Sequence, residues 1–240
     1  MSTTLIPFSG GLDSTYLLYI RLQQGLDIQL SYVELVNNVT KSEIEQRHRD
    51  ALLGKMREAT VTELGIVKVE LPYSGLLNLV QPTVWLLGLV SQITTSHIPD
   101  FVELGYTSGD CALGYLDEIK TLWNSYQGFC NTPLPELRFP LIKEGKEDYF
   151  YKLPESIREL IWSCEAPSIL ENTEDYVIYK ECGCECTPCK RSKYLGIFQE
   201  RRFEYNKLNK SLTVIKDEKE WQKVKENNLT LSWNKYEVKS

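Results

Sequence analysis

A strand, a glycine turn and the start of a helix follow one another near the beginning of the chain. The apolar run 5–8 leads directly into Ser9–Ser14, of sequence Ser-Gly-Gly-Leu-Asp-Ser, and a helical pattern follows from Thr15 to Gln24. Two adjacent glycines let the backbone turn tightly and approach an anion without interference from a Cβ atom. The unpaired amides and the positive end of the helix dipole then face that anion. The segment therefore predicts a phosphate-binding loop.

The other side chains of this loop suit the same purpose. Ser9 and Ser14 can add hydroxyl donors, and Asp13 can cap the helix or help to place a magnesium ion. No Gly-Lys-Ser/Thr follows at the spacing of a Walker A loop. An ordinary Gly-Gly turn capped by Asp13 is the alternative, but the strand before it and the helix after it favour a nucleotide.

The order Ser-Gly-Gly-x-Asp-Ser resembles the pyrophosphate loop of ATP pyrophosphatases, which cut ATP between its α and β phosphates and adenylate an oxygen. The resemblance implies that ATP binds to Phe8, Ser9, Gly10, Gly11, Leu12, Asp13 and Ser14. It also implies that Asp13 and Ser14 take part in catalysis.

Strand and helix patterns alternate after the loop. The predicted strands are Leu5–Phe8, Ile28–Leu35, Ile66–Leu71 and Phe101–Tyr106, and the predicted helices are Thr15–Gln24, Ser42–Thr62 and Val84–Thr94. This alternation predicts an α/β fold with a doubly wound, mostly parallel sheet, of the Rossmann-like, adenine nucleotide alpha hydrolase-like type. Ligands of such sheets bind at the carboxyl ends of the strands, where the Ser9–Ser14 loop and the segment after Tyr106 both emerge.

The second half of the chain has shorter patterns. Arg138–Ile142 resembles a strand, Glu147–Leu153 and Pro154–Ile161 resemble short helices, and Tyr194–Arg202 resembles a helix. We expect a catalytic domain over residues 1–203, which includes a cysteine-rich zinc segment at 162–191. Residues 204–240, with a strand-like Leu229–Trp233, are expected to form a small appendage.

Composition and charge limit the class of protein and the compartment that fit this chain. The chain has 240 residues, of which 42% are hydrophobic and 25% are charged, as in soluble globular proteins. A net charge of −6 argues against strong nucleic-acid binding, which needs an excess of Lys and Arg. Residues 84–93 are too few to span a bilayer, and the first residues do not resemble a secretory signal. We expect a cytoplasmic protein with no membrane partner.

Four of the seven cysteines lie between positions 182 and 189, and Cys164 precedes them. In a reducing compartment such a cluster is more often a metal site than a set of disulfides. Cys186-x2-Cys189 supplies two ligands of a structural zinc ion, Cys182 or Cys184 a third, and Cys164 the fourth. The spacing differs from common iron–sulfur runs, and the polar neighbours argue against simply buried thiols.

Five segments extend the likeness beyond the loop. They are Gln46-Arg47-His48, Asp110 with Gly114-Tyr115-Leu116-Asp117, Phe139-Pro140-Leu141, Trp162-Ser163-Cys164, and the run from Cys182 to Arg191. Together with the loop they resemble the 7-cyano-7-deazaguanine synthase (QueC) family over about residues 3–200.

The resemblance implies an ATP-dependent ligase that forms carbon–nitrogen bonds. ATP would adenylate the carboxylate of 7-carboxy-7-deazaguanine, ammonia would form the amide, and a second activation would give the nitrile, for queuosine or a modified DNA. Asp110, Tyr115 and Asp117 would recognise the guanine-like ring, unless they form an ordinary polar loop. His48 would be a substrate contact or an acid–base group, or else a helix-surface histidine. The family also implies ATP, Mg²⁺ and Zn²⁺ as cofactors and a homodimer.

Departures from the family pattern leave other functions open. The family's Tyr-Gly-Gln-Arg-His run is interrupted, because Val33–Glu45 separate Tyr32 from Gln46, and an expected Arg–Asn pair near Gln81–Trp85 is missing. A divergent adenylating enzyme that stops at the amide, or joins the deazaguanine to a protein or nucleic-acid amine, fits this pattern. A tRNA thiolase would need Cys111 as its catalytic cysteine. A non-catalytic nucleotide-binding zinc module is the remaining alternative.

Overall fold

The computed structural model describes residues 2–35, 39–56, 61–69, 81–93, 98–183, 185–197, 200–224 and 226. These residues divide into two compact units. The first contains the described residues of Met1–Ser163 and Tyr194–Ile197. The second contains those of Cys164–Lys193 and Phe198–Ser240.

A parallel sheet of five strands organises the first unit. The strands are β1 Thr3–Pro7, β2 Asp27–Leu35, β3 Val61–Val69, β4 Phe101–Glu103 and β5 Glu136–Arg138. Their order in the sheet is β3-β2-β1-β4-β5, and every pair is parallel. The chain therefore winds outwards from β1 in both directions, which confirms the predicted doubly wound α/β fold.

Helices connect the strands of this sheet. They are α1 Leu12–Gln23, α2 Val39–Met56, α3 Gln81–Ile93, α4 Leu116–Tyr126, α5 Lys146–Phe150 and α6 Glu155–Arg158. Among the described residues, no helix combines the length and the apolar character that a membrane crossing requires.

The ends of α2 differ from the sequence-based prediction. The helix begins at Val39, three residues before the predicted start, and Ser42 is a buried residue inside it. The predicted end at Thr62 is also wrong, because Val61 and Thr62 already belong to β3. Both are β-branched residues, which favour a strand once they can pair with β2.

One apolar cluster of the first unit joins β1 and β4 to the helices α3 and α4. Its buried members are Leu5, Leu86, Leu89, Val90, Ile93, Val102, Leu104, Ile119 and Trp123. The Trp123 indole nitrogen donates to the carbonyl of Pro135 at 3.0 Å, so the one polar atom of that side chain is satisfied. The strands β1 and β4 therefore share one apolar core with α3 and α4.

An ion pair holds α1 against β4. The guanidinium of Arg21 donates to Glu103 through Nε at 2.6 Å and Nη2 at 2.8 Å. The Glu103 side chain is only 4% exposed, so this two-point contact satisfies a carboxylate that water barely reaches. It orients α1, whose first turn forms part of the predicted phosphate loop.

The second unit contains an antiparallel sheet and, among its described residues, helical segments at 187–193 and 218–224. The strands β6 Ser168–Asn172, β7 Tyr176–Lys180, β8 Arg202–Asn206 and β9 Ser211–Ile215 pair in sequence order. The sequence-based domain boundary between residues 203 and 204 falls inside β8. The predicted helix Tyr194–Arg202 is wrong, because the observed helix, α7 Thr187–Tyr194, ends where the prediction begins. Gly196, with a φ of +70°, takes the chain out of helical geometry.

Aromatic side chains form the core of this sheet. Tyr179 and Phe203 stack with their centroids 5.6 Å apart. Trp221 and Val224 pack against the cluster formed by Tyr176, Ile178 and Ile215. The predicted strand Leu229–Trp233 lies outside the described residues.

Gly88 of α3 provides a test of how tightly α3 packs on the sheet. A Cβ atom at Gly88 would lie 2.5 Å from Cγ2 of Val33 in β2, whereas nothing lies within 4 Å of a Cβ at exposed Gly54 in α2. We predict that Gly88→Ala lowers the free energy of unfolding by about 1–3 kcal/mol through overpacking. The control Gly54→Ala raises it by about 0.5–1 kcal/mol through helix propensity. Urea denaturation measures both, and equal effects of the two variants would refute this packing.

Candidate functional site

The predicted phosphate loop lies at the point where the sheet changes winding direction. β1 is the strand between β2 and β4, and the loop leaves its carboxyl end. Gly10 has a φ of +76°, a conformation that favours glycine. Gly11 is the N-cap residue of α1, with no side chain to satisfy the first amides of the helix. Those amides are therefore available to an anion, as expected at such a crevice.

The two loop serines lie side by side. Their hydroxyl oxygens, Oγ of Ser9 and Oγ of Ser14, are 3.1 Å apart. Ser9 Oγ also accepts from the Gly11 amide at 3.3 Å, and Ser14 Oγ donates to the Gly11 carbonyl at 3.2 Å. Hydroxyls this close together can both donate to one phosphate group.

A lysine that the sequence did not single out completes the site. Lys146, the first residue of α5, places Nζ 2.5 Å from Oδ2 of Asp13 and 3.4 Å from Oδ1 of Asp110. The three side chains are 17%, 24% and 14% exposed, so water screens them little. The structure thus joins Asp13 and Asp110, both predicted site residues, through one shared cation.

The Asp13 carboxylate is held by a second donor as well. The hydroxyl of buried Tyr149 donates to Asp13 Oδ1, and the Tyr149 ring stacks on Tyr16 of α1 at 4.5 Å. Burial raises the pKa of Asp13, and repulsion from Asp110 adds to this, while Lys146 and Tyr149 favour the carboxylate. Burial and the charge of Asp13 raise the pKa of Tyr149, so its hydroxyl keeps its proton and remains a donor.

The segment after β4 packs directly on the first turn of α1. A Cβ atom at Gly105 would lie 3.2 Å from both the carbonyl carbon and the carbonyl oxygen of Asp13, so a larger residue would displace that turn. Two residues later, the amide and hydroxyl of Thr107 both donate to Asp110 Oδ2, at 2.8 and 3.0 Å. Burial, with the charge of Asp110, raises the pKa of Tyr106 to about 12. This segment therefore brings Asp110 to the loop in a defined orientation.

The other predicted substrate residues lie further along the chain. Tyr115 ends a short 3₁₀ turn, Cys111–Tyr115, and is 44% exposed. Asp117 is an exposed residue of the first turn of α4, and Cys111 is exposed as well. Of the three predicted substrate residues, Asp110 is thus the one linked to Asp13 through Lys146.

His48 lies in the core of the first unit, so the alternative of a helix-surface histidine is wrong. It is fully buried, and its Nδ1 lies 2.6 Å from the carbonyl oxygen of Leu160. A carbonyl oxygen only accepts, so Nδ1 carries the proton. The imidazole packs on Trp162 at 4.8 Å, and the Trp162 amide donates to the carbonyl of Gly10 at 3.1 Å. His48 therefore supports the phosphate loop from behind.

The second unit brings four predicted cysteines together. The sulfur atoms of Cys164, Cys182, Cys186 and Cys189 all lie within 4.8 Å of one another. A tetrahedron with zinc–sulfur bonds of about 2.3 Å has sulfur–sulfur distances of roughly 3.8 Å. The observed Cys182–Cys186 and Cys164–Cys186 separations are 3.4 and 4.0 Å. The donor set and its spacing fit a zinc ion, and Cys184 lies outside the described residues.

Backbone amides point at these sulfur atoms. The Cys182 amide donates to the sulfur of Cys164, and the Cys186 amide donates to the sulfur of Cys182, both at 3.3 Å. Burial raises the pKa of the Cys182 thiol, but hydrogen bonds from Cys186 and Cys164 outweigh burial and lower it to about 7. Thiolates are the form that binds metal, and these hydrogen bonds favour it at Cys182, whereas burial raises the pKa of Cys164 to about 12 and also raises that of Cys189. With all four positions taken by cysteines, such a site is structural.

Comparisons with known proteins add distant likenesses. No family model and no curated protein matches the chain. Its structure is similar to that of NMN synthetase from Francisella tularensis, at 15% identity and a TM-score of 0.31 over 65% of this chain and 64% of that one. It is also similar to a predicted subunit of tRNA methyltransferase from Methanocaldococcus jannaschii DSM, at 12% identity and a TM-score of 0.34 over 84% of this chain and 95% of that one. Likenesses this distant bear on neither substrate nor reaction.

The buried position of His48 leads to a prediction about stability. We expect His48→Leu to lower the free energy of unfolding by about 1–3 kcal/mol, because it removes the donor to a buried carbonyl. Urea denaturation measures the loss. The control Lys55→Gln changes an exposed residue of the same helix and should leave the midpoint within error. An unchanged midpoint for His48→Leu would contradict the supporting role.

The cysteine cluster predicts the metal content. Elemental analysis of purified protein should find about one zinc ion per chain, since four thiolates complete a structural site. Cys186→Ser should lose most of this zinc and destabilise the second unit. The control Cys130→Ser, a partly buried cysteine of the first unit, should keep it. Equal zinc contents in the two variants would exclude this cluster as the binding site.

Proposed function

We propose that this protein is an ATP-using enzyme that adenylates a carboxylate, with 7-carboxy-7-deazaguanine as its substrate. The observation that carries the proposal is the arrangement around α1. A glycine loop, two adjacent serines and Lys146 meet at the switch point of a doubly wound sheet. Backbone amides, hydroxyls and a lysine are together the groups that bind phosphates in proteins.

In this proposal the loop holds the phosphates that leave. Ser9, Gly10, Gly11 and Ser14 bind the pyrophosphate half of ATP. Lys146 exchanges its carboxylate partners for phosphate oxygens when the nucleotide arrives. A positive group fixed beside the leaving pyrophosphate stabilises the negative charge that grows there in the transition state. Such groups act without reorganising water, which is why their placement decides the rate.

Asp13 has a donor set that suits a magnesium ion. Its carboxylate lies beside the loop, within 2.5 Å of a lysine that can move away, and Asp110 lies beyond the same lysine. Hard oxygen ligands of this kind are those that magnesium prefers. When bound, the ion would neutralise part of the phosphate charge. Asp13 would hold it in place, and Tyr149 would keep the Asp13 carboxylate in one orientation.

The chemistry suits an acid that reacts twice. A carboxylate oxygen attacks the α phosphorus of ATP and releases pyrophosphate, and ammonia then displaces AMP to leave an amide. A second ATP adenylates the amide oxygen, and loss of AMP and a proton leaves a nitrile. The resemblance of Trp162-Ser163-Cys164 and of the cysteine run supports the deazaguanine as the acid. Asp110, Tyr115 and Asp117 remain the proposed contacts with its ring.

His48 and the cysteine cluster receive indirect roles. The imidazole of His48 is engaged by the Leu160 carbonyl and packs on Trp162, so we assign His48 to positioning the loop and not to proton transfer. The cysteine cluster, with four sulfur ligands, stabilises the second unit. Neither residue group takes part in bond making.

Incubation with ATP, ammonium and 7-carboxy-7-deazaguanine tests the proposal, with mass spectrometry of the small molecules and of the protein. The expected products are AMP, pyrophosphate and the nitrile. An amide, or a mass added to the protein, would keep the adenylation step and replace the final product. Bound ATP without any AMP would refute the enzymatic function altogether.

Two variants test the site itself. We predict that Asp13→Ala and Lys146→Met each lower the rate of AMP formation at least hundredfold, on the order of 3 kcal/mol of transition-state stabilisation. The control Lys143→Met removes an exposed lysine three residues from Lys146 and should keep the wild-type rate. Initial rates at saturating ATP provide the measurement. Wild-type turnover in Asp13→Ala would remove that residue from the mechanism.

A further inference from the structure

Arg49 is a buried arginine that packs against the phosphate loop. It follows His48 on α2 and is only 6% exposed. A Cβ atom at Gly10 would lie 3.2 Å from Cγ of Arg49 and 3.5 Å from its backbone nitrogen. The aliphatic stem of Arg49 therefore lies directly against the loop at its left-handed glycine.

The guanidinium group is held flat by an aromatic ring. Its central carbon lies 3.3 Å from the centroid of the Tyr32 ring in β2. The Tyr32 hydroxyl in turn donates to Glu45, one turn before Arg49 on α2. Stacking satisfies the face of the guanidinium and leaves its edge, with the N–H donors, to find acceptors.

One of those donors remains unused. The Nη1 atom of Arg49 is buried and has no hydrogen-bond acceptor among the residues that the structure describes. A buried donor on a charged group destabilises a protein unless a partner reaches it. Arginine is also the side chain whose planar donors best match the oxygens of a phosphate. An unused donor beside an anion-binding loop points to a ligand oxygen as its partner.

We infer that Arg49 is a phosphate-binding residue of this site and donates through Nη1 to the pyrophosphate held on the Ser9–Ser14 loop. The inference rests on the proposed function, since it needs phosphates on that loop. In this arrangement the loop after β1 has a cation on each side, and the two cations come from different parts of the chain. Arg49 follows β2 on one side, and Lys146, which pairs with Asp110 after β4, serves the other. Two cations balance the charge that a leaving pyrophosphate gathers.

A binding experiment with inorganic pyrophosphate alone tests the assignment without any turnover. We expect Arg49→Met, which keeps an aliphatic stem against Gly10, to raise the calorimetric Kd for pyrophosphate about 10- to 100-fold. The control Lys55→Gln removes one positive charge from an exposed position of the same helix and should change Kd less than threefold. Urea denaturation of unliganded Arg49→Met should show little loss of stability, because the change removes an unpaired buried donor.

The outcomes separate the inference from the proposed function. A change in Kd below threefold for Arg49→Met overturns the inference, as does a change confined to the KM of the carboxylic acid. If Arg49→Met does not fold, Arg49→Lys provides the test. This variant keeps the charge but loses the planar guanidinium, so an unchanged Kd for pyrophosphate would also overturn the inference. Wild-type protein that binds no pyrophosphate defeats both ideas. Pyrophosphate binding that depends on Arg49, in a protein that forms no AMP, defeats only the proposed function.

Discussion

The left-handed turn at Gly10 is the constraint on which the candidate site depends. With a φ of +76°, this residue takes the chain from β1 into α1 within a few residues. Its carbonyl accepts from Trp162, and the space above its Cα holds the stem of Arg49. A side chain at position 10 would strain the backbone and would also press against the Arg49 stem. The same glycine thus determines the loop, the start of the helix and the approach of the neighbouring arginine.

Charge balance around α1 explains how several charged groups can lie close together beside the loop. Asp13 and Asp110 share Lys146, and Tyr149 donates to Asp13 as well. Two carboxylates that share one cation repel each other, which is one reason that the pKa of Asp13 is raised. In the proposed function, an incoming phosphate takes over the lysine from these carboxylates. The ion pair between Arg21 and Glu103 keeps α1 itself in place.

The sequence was most informative where the chemistry is local. The strand, glycine turn and helix around Ser9–Ser14 need only adjacent residues, and so do most of the ligands near Cys186. The sequence does not indicate Lys146, because no motif surrounds it and 133 residues separate it from Asp13. Arg49 directly follows the recognisable motif Gln46-Arg47-His48, but it does not belong to that motif, so the motif does not indicate its role. Helix ends near Thr62 and Tyr194 were misplaced because strand pairing of Val61 and the backbone of Gly196 determined them.

The sequence alone determined the kinds of groups that this protein can use: a glycine turn with hydroxyls for an anion, four thiolates for a metal, and alternating strands and helices for a parallel sheet. These follow from short-range rules of backbone freedom, ligand spacing and hydrophobic periodicity. Only the tertiary structure decided which distant charges meet at the turn, and that His48 supports the loop from the core. The reason is that burial and strand order bring Lys146 and Arg49 close to the end of β1. Both depend on the packing of the whole first unit, and the residues next to Lys146 and Arg49 in the sequence do not indicate them.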